Sequence, residues 1–217
     1  MPIHFFDLDR CMPMPWKNGG GTTQEIVCWP LDGSMNQFDW RISVANIDKD
    51  GPFSAYPGLD RTIMLLSGNG VRLQARDGSF DHCMKQPFEP FRFSGDVALD
   101  STLIDGATQD FNVMTMRHGW SAQVHIIRNA FTLPASEYGL LLNAQGIWSI
   151  TQTARASELT TQIAPKHGLW WAEEAIQVQA TPQTEEALLI HVQIQKKTIM
   201  NAIIPPHVNA HKEYPCQ

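Results

Sequence analysis

Residues 38 to 47 read FDWRISVANI, and this stretch decides the fold class. Apolar Trp40 and Ile42 alternate with polar Arg41 and Ser43, which predicts a β-strand whose side chains point to two different faces. The face with the tryptophan belongs to a core. The other face is either exposed to solvent or lines the polar interior of a barrel, and the spacing alone favours solvent.

Similar β-prone runs recur along the chain, separated by Gly, Pro, Asn and Asp. Their spacing of roughly ten to twenty residues, with turn sequences such as SGNG and YPGLD between them, is typical of an all-β sandwich or barrel. Sustained helical periodicity is missing, so any helix is expected to be short. The runs are QEIVCW, RTIMLL, VRLQA, VALDSTLI, FNVMTMR, AQVHII, GIWSIT and ALLIHVQI.

Charge and length limit the classes of partner. The chain has 217 residues, enough for one large domain or two small ones with a sizeable core. Its net charge is −6, from 22 acidic and 16 basic side chains, and it has no block of Lys or Arg. We therefore expect neither nucleic acid nor an anionic membrane as a partner.

The cysteines and the N-terminal sequence indicate a cytoplasmic protein. The four cysteines show no C-x-x-C spacing, and a chain of this size needs no disulfide framework, so reduced thiols are expected. The sequence MPIHFFDLDR has no signal-peptide pattern, and no run of about 18 apolar residues occurs.

Motifs for metal or nucleophilic chemistry are absent from the sequence. There is no H-E-x-x-H motif, no H-x-H pair and no G-x-S-x-G elbow. His207 and His211 have a ligand-like spacing but fall in a proline-rich end, so no metal and no cofactor are expected. Four carboxylates could do acid–base work, although their spacing assigns no reaction. They are Glu25, Asp60, Asp96 and Asp110.

The glycine run in PWKNGGGTTQEI, residues 15 to 26, does not have a phosphate-loop pattern. It leads into a β-prone segment and therefore offers an anion no helix N-terminus. Two interpretations stay open: a turn and nothing more, or a turn that brings backbone to the mouth of a barrel, with Lys17 and Asn18 at the rim and Glu25 inside.

Four segments together resemble the HutD/Ves family. They occur in the family's order and cover most of residues 15 to 117, whereas the second half is similar only in length and strand rhythm. The second segment is long and specific. The segments are PWKNGGGTTQEI, FDWRISVANIDKDGPFSAYPGLDRTIMLLSGNG, PFRFSGD and DFNVMTMR.

The resemblance implies a cupin-type fold, an all-β bicupin with two jelly-roll or β-barrel-like halves in one chain. The expected boundaries are an N-terminal half over residues 1–118, a C-terminal half over 119–200 and an arm or tail over 201–217. The halves are expected to meet near residues 117 to 122, in RHGWSA.

The resemblance also implies a non-catalytic regulator of histidine utilisation that binds a small carboxylic acid such as urocanate or N-formylglutamate. Two alternatives stay open: a metal-independent cupin isomerase or hydrolase, and a Ves-type cold or stress protein. An enzyme would be marked by a cavity carboxylate with a strongly shifted pKa. The oligomeric state is open, with a homodimer as the expected assembly.

Eight residues form the expected ligand site. Arg41 is its centre, because a planar guanidinium suits a carboxylate and the opposite face of its strand is already packed. Arg61 is expected at the mouth of the same cavity, and Asp110 and Asn112 are candidates for an acceptor and an amide. Whether Asp96 and Asp110 face the cavity stays open. The full set is Lys17, Asn18, Glu25, Arg41, Ser43, Arg61, Asp110 and Asn112.

Overall fold

A computed structural model describes residues 3–32, 37–154 and 157–198 of the chain. Within these residues the protein contains nineteen β-strands, one short 3-10 helix over Leu8–Arg10 and no α-helix, so the all-β prediction is confirmed. The predicted tail over 201–217, with His207 and His211, lies outside the described residues.

Eleven strands precede the expected midpoint and eight follow it. The first eleven are β1 (Ile3–Asp7), β2 (Pro13–Pro15), β3 (Gly21–Trp29), β4 (Trp40–Ile47), β5 (Gly51–Phe53), β6 (Leu59–Ser67), β7 (Val71–Ala75), β8 (Asp81–Met84), β9 (Phe91–Ser94), β10 (Leu99–Leu103) and β11 (Thr108–Met116). The others are β12 (Trp120–Ile127), β13 (Phe131–Ser136), β14 (Gly139–Gln145), β15 (Trp148–Ala154), β16 (Ser157–Ile163), β17 (His167–Trp171), β18 (Ile176–Pro182) and β19 (Leu188–Lys196).

The strands form four open antiparallel sheets. A six-stranded sheet has the order β2-β3-β4-β11-β6-β9 and a four-stranded sheet the order β5-β10-β7-β8. The later strands form a five-stranded sheet, β1-β17-β14-β19-β12, and a four-stranded sheet, β13-β18-β15-β16. Each sheet ends in two edge strands, so the sheets are not closed barrels, and the cores are enclosed by packing sheet faces together.

The alternation in β4 places the six-stranded sheet between two cores. Trp40 and Ile42 pack against Leu140 and Ile190 of the five-stranded sheet. The opposite face of the six-stranded sheet covers β5, β7 and β10, in a core that includes Ile63 from β6, Leu73 and Leu99. The second face of β4 is therefore interior, and the solvent-face interpretation favoured by spacing is wrong.

β1 has an unexpected partner. It pairs antiparallel with β17, in a register that puts Ile3 opposite Trp171, and so joins the sheet of the later strands. The chain leaves the six-stranded sheet with β11, which ends at Met116, and enters the five-stranded sheet with β12, which begins at Trp120. This passage lies where the midpoint was expected. The division of the chain into two halves at residue 118 stays a prediction. Under this division β1 belongs to the first half by sequence, although it pairs with a strand of the second.

Candidate functional site

A group of buried polar side chains lies between the six-stranded sheet and the sheet of β5, β7, β8 and β10. We call it the interior polar cluster. Its members are at most 5% exposed and share the face of β4, β6 and β11 opposite Trp40. They are Arg41, Ser43, Arg61, Thr108, Asp110 and Asn112.

Strand register brings the two arginines together. β11 runs between β4 and β6, and Met114 of β11 lies opposite Arg41 on one side and Arg61 on the other. Directly opposed residues on neighbouring strands point to the same face, so both side chains enter the sandwich. Asn112, two residues away, lies opposite Ser43 and continues this polar face towards the interior.

Arg41 is paired with one carboxylate and keeps a free donor. Its Nε donates to Glu25 Oε2 at 2.7 Å. Glu25 lies opposite Ser43, just before a register shift in β3 that precedes Val27, so it shares the polar face. Its side chain is 32% exposed while that of Arg41 is 5% exposed, so Glu25 links the cluster to the surface. Nη2 of Arg41 is buried without a hydrogen-bond partner.

Arg61 is buried without any carboxylate partner among the described residues. Its Nη1 donates to the carbonyl oxygen of Ser54 at 3.1 Å, and its Nη2 has a long 3.5 Å contact with Asn112 Oδ1. Nε of Arg61 is buried and has no partner. A guanidinium held in this way retains most of its attraction for an anion.

Aromatic rings replace water around Arg61. Its ζ carbon lies 5.1 Å from the ring centre of Phe53, 5.3 Å from that of Tyr56 and 5.0 Å from that of Phe93. Burial lowers the pKa of Arg61 to about 10, and the positive charge of Arg41 adds to this lowering while Tyr56 opposes it. The guanidinium is still charged at neutral pH.

Asp110 is fully buried on β11, on the same polar face. Thr108 Oγ1 donates to its Oδ2 at 2.9 Å, and its Oδ1 is buried without a partner. Burial raises the pKa of Asp110 from 3.8 to about 7, although the bond from Thr108 works in the opposite direction. The carboxyl group is therefore divided between its neutral and charged forms near neutral pH.

Two predicted site residues lie elsewhere. Lys17 and Asn18 are exposed, and Asn18 Oδ1 accepts a hydrogen bond from the backbone N–H of Gly20 at 3.0 Å. The contacts of the described residues do not bring either side chain to the interior polar cluster. The glycine run serves strand pairing instead: a Cβ on Gly21 would collide with the carbonyl oxygen of Asn46 on β4.

Arg117 organises a second polar group that the sequence did not reveal. Its Nε donates to Asp60 Oδ1 and its Nη1 to Asp96 Oδ2, both at 2.7 Å. Asp60 thus pairs with Arg117, which leaves Arg61 free to point inward. The pKa of Asp96 is lowered to about 2, first by the N–H of Gly58 and then by Arg117. Asp96 belongs to this exposed group, outside the cluster.

A surface cavity of about 510 Å³ is separate from the interior polar cluster. It is lined by Phe5, Phe6, Asp7, Arg10, Cys11 and His167. The described part of the chain contains no group of three or more His, Cys, Asp or Glu side chains placed to hold a metal ion. Over the same residues, no helix has the length and apolarity needed to cross a membrane.

Comparison with known proteins identifies the family. The model of the HutD family matches residues 9–189. The chain belongs to the HutD family. This HutD-family protein is 33% identical over 172 residues to Protein Ves of Cronobacter sakazakii, an alignment that covers 79% of this chain and 88% of the relative.

Solved structures agree with the fold of this HutD-family protein. A conserved protein of unknown function from Pseudomonas aeruginosa PAO1 superposes with a TM-score of 0.77 at 28% identity, covering 89% of this chain and 98% of the other. HutD from Pseudomonas fluorescens SBW25 gives 0.73 at 24% identity, covering 90% and 100%. More distant cupin-like structures, at 7% and 8% identity with TM-scores of 0.62 and 0.61, share the fold alone.

Proposed function

We propose that this HutD-family protein binds a small carboxylic acid in the interior polar cluster and acts as a non-catalytic regulator of histidine utilisation. One observation carries the proposal: of the two buried arginines, only Arg41 has a carboxylate partner among the described residues, and both guanidinium groups keep an unpartnered nitrogen. Arg41 Nη2 and Arg61 Nε are left without partners. Buried charges in proteins are normally paired, so an anion from outside fits the site.

The charges of the cluster favour one added negative charge. Arg41 and Glu25 cancel one another, and Arg61 leaves one positive charge when Asp110 is neutral. A carboxylate would accept hydrogen bonds from the free guanidinium N–H groups, which match its planar geometry. Urocanate and N-formylglutamate are the acids to test, because both are intermediates of the pathway that the HutD family suggests.

Calorimetric titration tests this proposal. Arg41→Lys should weaken binding of either acid about tenfold, since an ammonium cannot donate in the plane to Glu25 and to a ligand at once. Arg72→Lys is the matched control, because Arg72 forms an exposed ion pair with Asp81. Failure of both acids to bind at millimolar concentration, or equal affinity in wild type and Arg41→Lys, would refute the proposal.

A second candidate function is a metal-independent enzyme acting on the same acid. It is favoured by Asp110, a buried carboxyl group whose raised pKa of about 7 suits proton transfer near neutral pH. Nuclear magnetic resonance spectra of each acid, recorded over hours with the protein, separate the two functions. A new product that is absent with Asp110→Asn would establish the enzyme, whereas unchanged spectra support the regulator.

We also propose that the chain is a bicupin. One cupin-like half would consist of the six-stranded sheet and the sheet of β5, β7, β8 and β10, and the other half of the two remaining sheets. The chain would pass from the first half to the second between β11 and β12. The two halves differ in their interiors. The first holds the two arginines, whereas the interior of the second, between β14, β17 and β19 and the facing sheet, is largely apolar and includes Trp148, Leu169 and Trp171.

A further inference from the structure

Asp110 has an acceptor oxygen to which no described residue of the protein donates. Its Oδ2 receives the bond from Thr108, while its Oδ1 is buried and unpartnered. The directly opposed residues are Ala45 on β4 and Leu65 on β6, whose side chains have no N–H or O–H group. Asn112 does not satisfy it either, because its Nδ2 donates to the backbone carbonyl of Asp110.

We propose that the ligand of the interior polar cluster carries an N–H or O–H donor in addition to its carboxylate, and that Asp110 Oδ1 accepts this donor. The inference rests on the proposed carboxylate site and specifies its ligand. An unsatisfied buried acceptor is costly, and a ligand that supplies its missing partner recovers that cost on binding. An acid without such a donor would leave Oδ1 unsatisfied.

Strand geometry sets the distance between the two ligand groups. Arg61 Nη2 reaches Asn112 Oδ1, so the guanidinium lies level with Asn112 on β11. Asp110 is two residues further along the same face, which corresponds to about 7 Å of an antiparallel strand. A carboxylate bound at the guanidinium therefore places its partner donor about 7 Å away. This selects short acids with a heteroaromatic or amide N–H at the far end.

Two acids of matched shape test the inference without any mutation. The imidazole ring of trans-urocanate has an N–H where 3-(furan-3-yl)acrylate has a ring oxygen, and both have the same acrylate group. Calorimetric titration at pH 7, where both forms of Asp110 are present, should show at least tenfold tighter binding of urocanate. Equal affinities for the two acids would overturn the inference while leaving the carboxylate site intact.

A variant connects this preference to Asp110. Asp110→Leu keeps the branched shape of the side chain and removes the acceptor, so the affinity ratio of the two acids should fall to about one. Thermal melting shows whether the variant is folded. If it is not folded, the comparison of the two acids on the wild-type protein still tests the inference. A ratio unchanged in folded Asp110→Leu would contradict the inference, and failure of both acids to bind wild type would remove the proposed function as well.

Discussion

At the scale of single residues, the interior polar cluster lowers the stability of the protein. Among the described residues, Arg61 is buried against three aromatic rings with no carboxylate beside it, and Asp110 is buried with one oxygen unsatisfied. Apolar side chains of the same size would cost less free energy at both positions. Groups kept in this state are typical of binding and catalytic sites rather than of structural cores.

The titration of Asp110 should be visible in the stability of the protein. Because its pKa rises from 3.8 unfolded to about 7 folded, the folded state holds a proton that the unfolded state has lost between these values. The contribution of Asp110 to the free energy of unfolding is therefore fully present below about pH 4 and is lost as the pH rises towards about 7.

Asparagine does not titrate, so Asp110→Asn removes this pH dependence. The free energy of unfolding of the variant should therefore rise relative to that of the wild type as the pH increases. We expect the gain between pH 4 and pH 8 to be on the order of 4 kcal/mol, at about 1.4 kcal/mol for each unit of pKa shift. Urea unfolding at several pH values measures it, with exposed Asp32→Asn as the control. The expectation fails if the difference between Asp110→Asn and wild type is constant over this range.

At the scale of strands, the glycine run has a steric role at the start of β3. Gly21 lies against the backbone of Asn46, and the backbone N–H groups of Asp48 and Lys49 donate to the carbonyl of Gly20. A side chain at Gly21 would separate β3 from β4. Because β3 also carries Glu25, the pairing of these two strands holds the ion pair to Arg41 in place.

Gly21→Ala should therefore destabilise the protein by about 1–3 kcal/mol, the usual cost of forcing extra atoms into a packed position. Gly51→Ala is the control, because a Cβ at Gly51 meets open space. Chemical denaturation compares the two variants. Equal stability of both would show that β3 and β4 can separate without cost, and the steric interpretation would then be wrong.

The strands that carry the site could be predicted from sequence, and their partners could not. The alternation around Arg41 and the run ending at Arg117 both fall on strands, β4 and β11, because period-two patterning is a local property. Which face is buried depends on what covers it, and two of the covering strands, β7 and β10, lie far beyond β4 in the sequence. The pattern could therefore not choose between solvent and interior for Arg41.

The neighbours of the site residues could not be predicted from the sequence either. Arg61 was expected at the cavity because it begins a strand, and it does point inward. Its aromatic neighbours come from two segments, one with Phe53 and Tyr56 and one with Phe93, and the sequence gives no sign that they meet. Lys17 and Asn18 were assigned to the rim from their position beside glycines, and a local bond from Gly20 to Asn18 leaves them exposed. Weak edge strands such as β9 and β16 were missed, since they are short or polar.

At the scale of the whole molecule, the six-stranded and five-stranded sheets share one core. Trp40 and Val44 of β4 pack in the same cluster as Leu142 of β14 and Val192 of β19. Neither set of strands could keep this surface buried on its own. We therefore expect the two sandwiches to unfold together.

Differential scanning calorimetry should show a single transition. Leu73→Ala in the first sandwich and Ile176→Ala in the second each remove a fully buried side chain, and each should lower the temperature of that one transition by on the order of 10 °C. A variant that splits the melt into two peaks, with only one peak displaced, would show that the sandwiches unfold independently.

The pairing of β1 with β17 has a consequence for synthesis of the chain. Ile3 and its partner Trp171 are 168 positions apart, so the ribosome completes β1 long before β17 exists. At translation rates of about 5–20 residues per second, β1 waits on the order of ten seconds or more. During this interval the nascent protein exposes Ile3, Phe6 and an unpaired strand edge, the kind of segment that chaperones protect from aggregation.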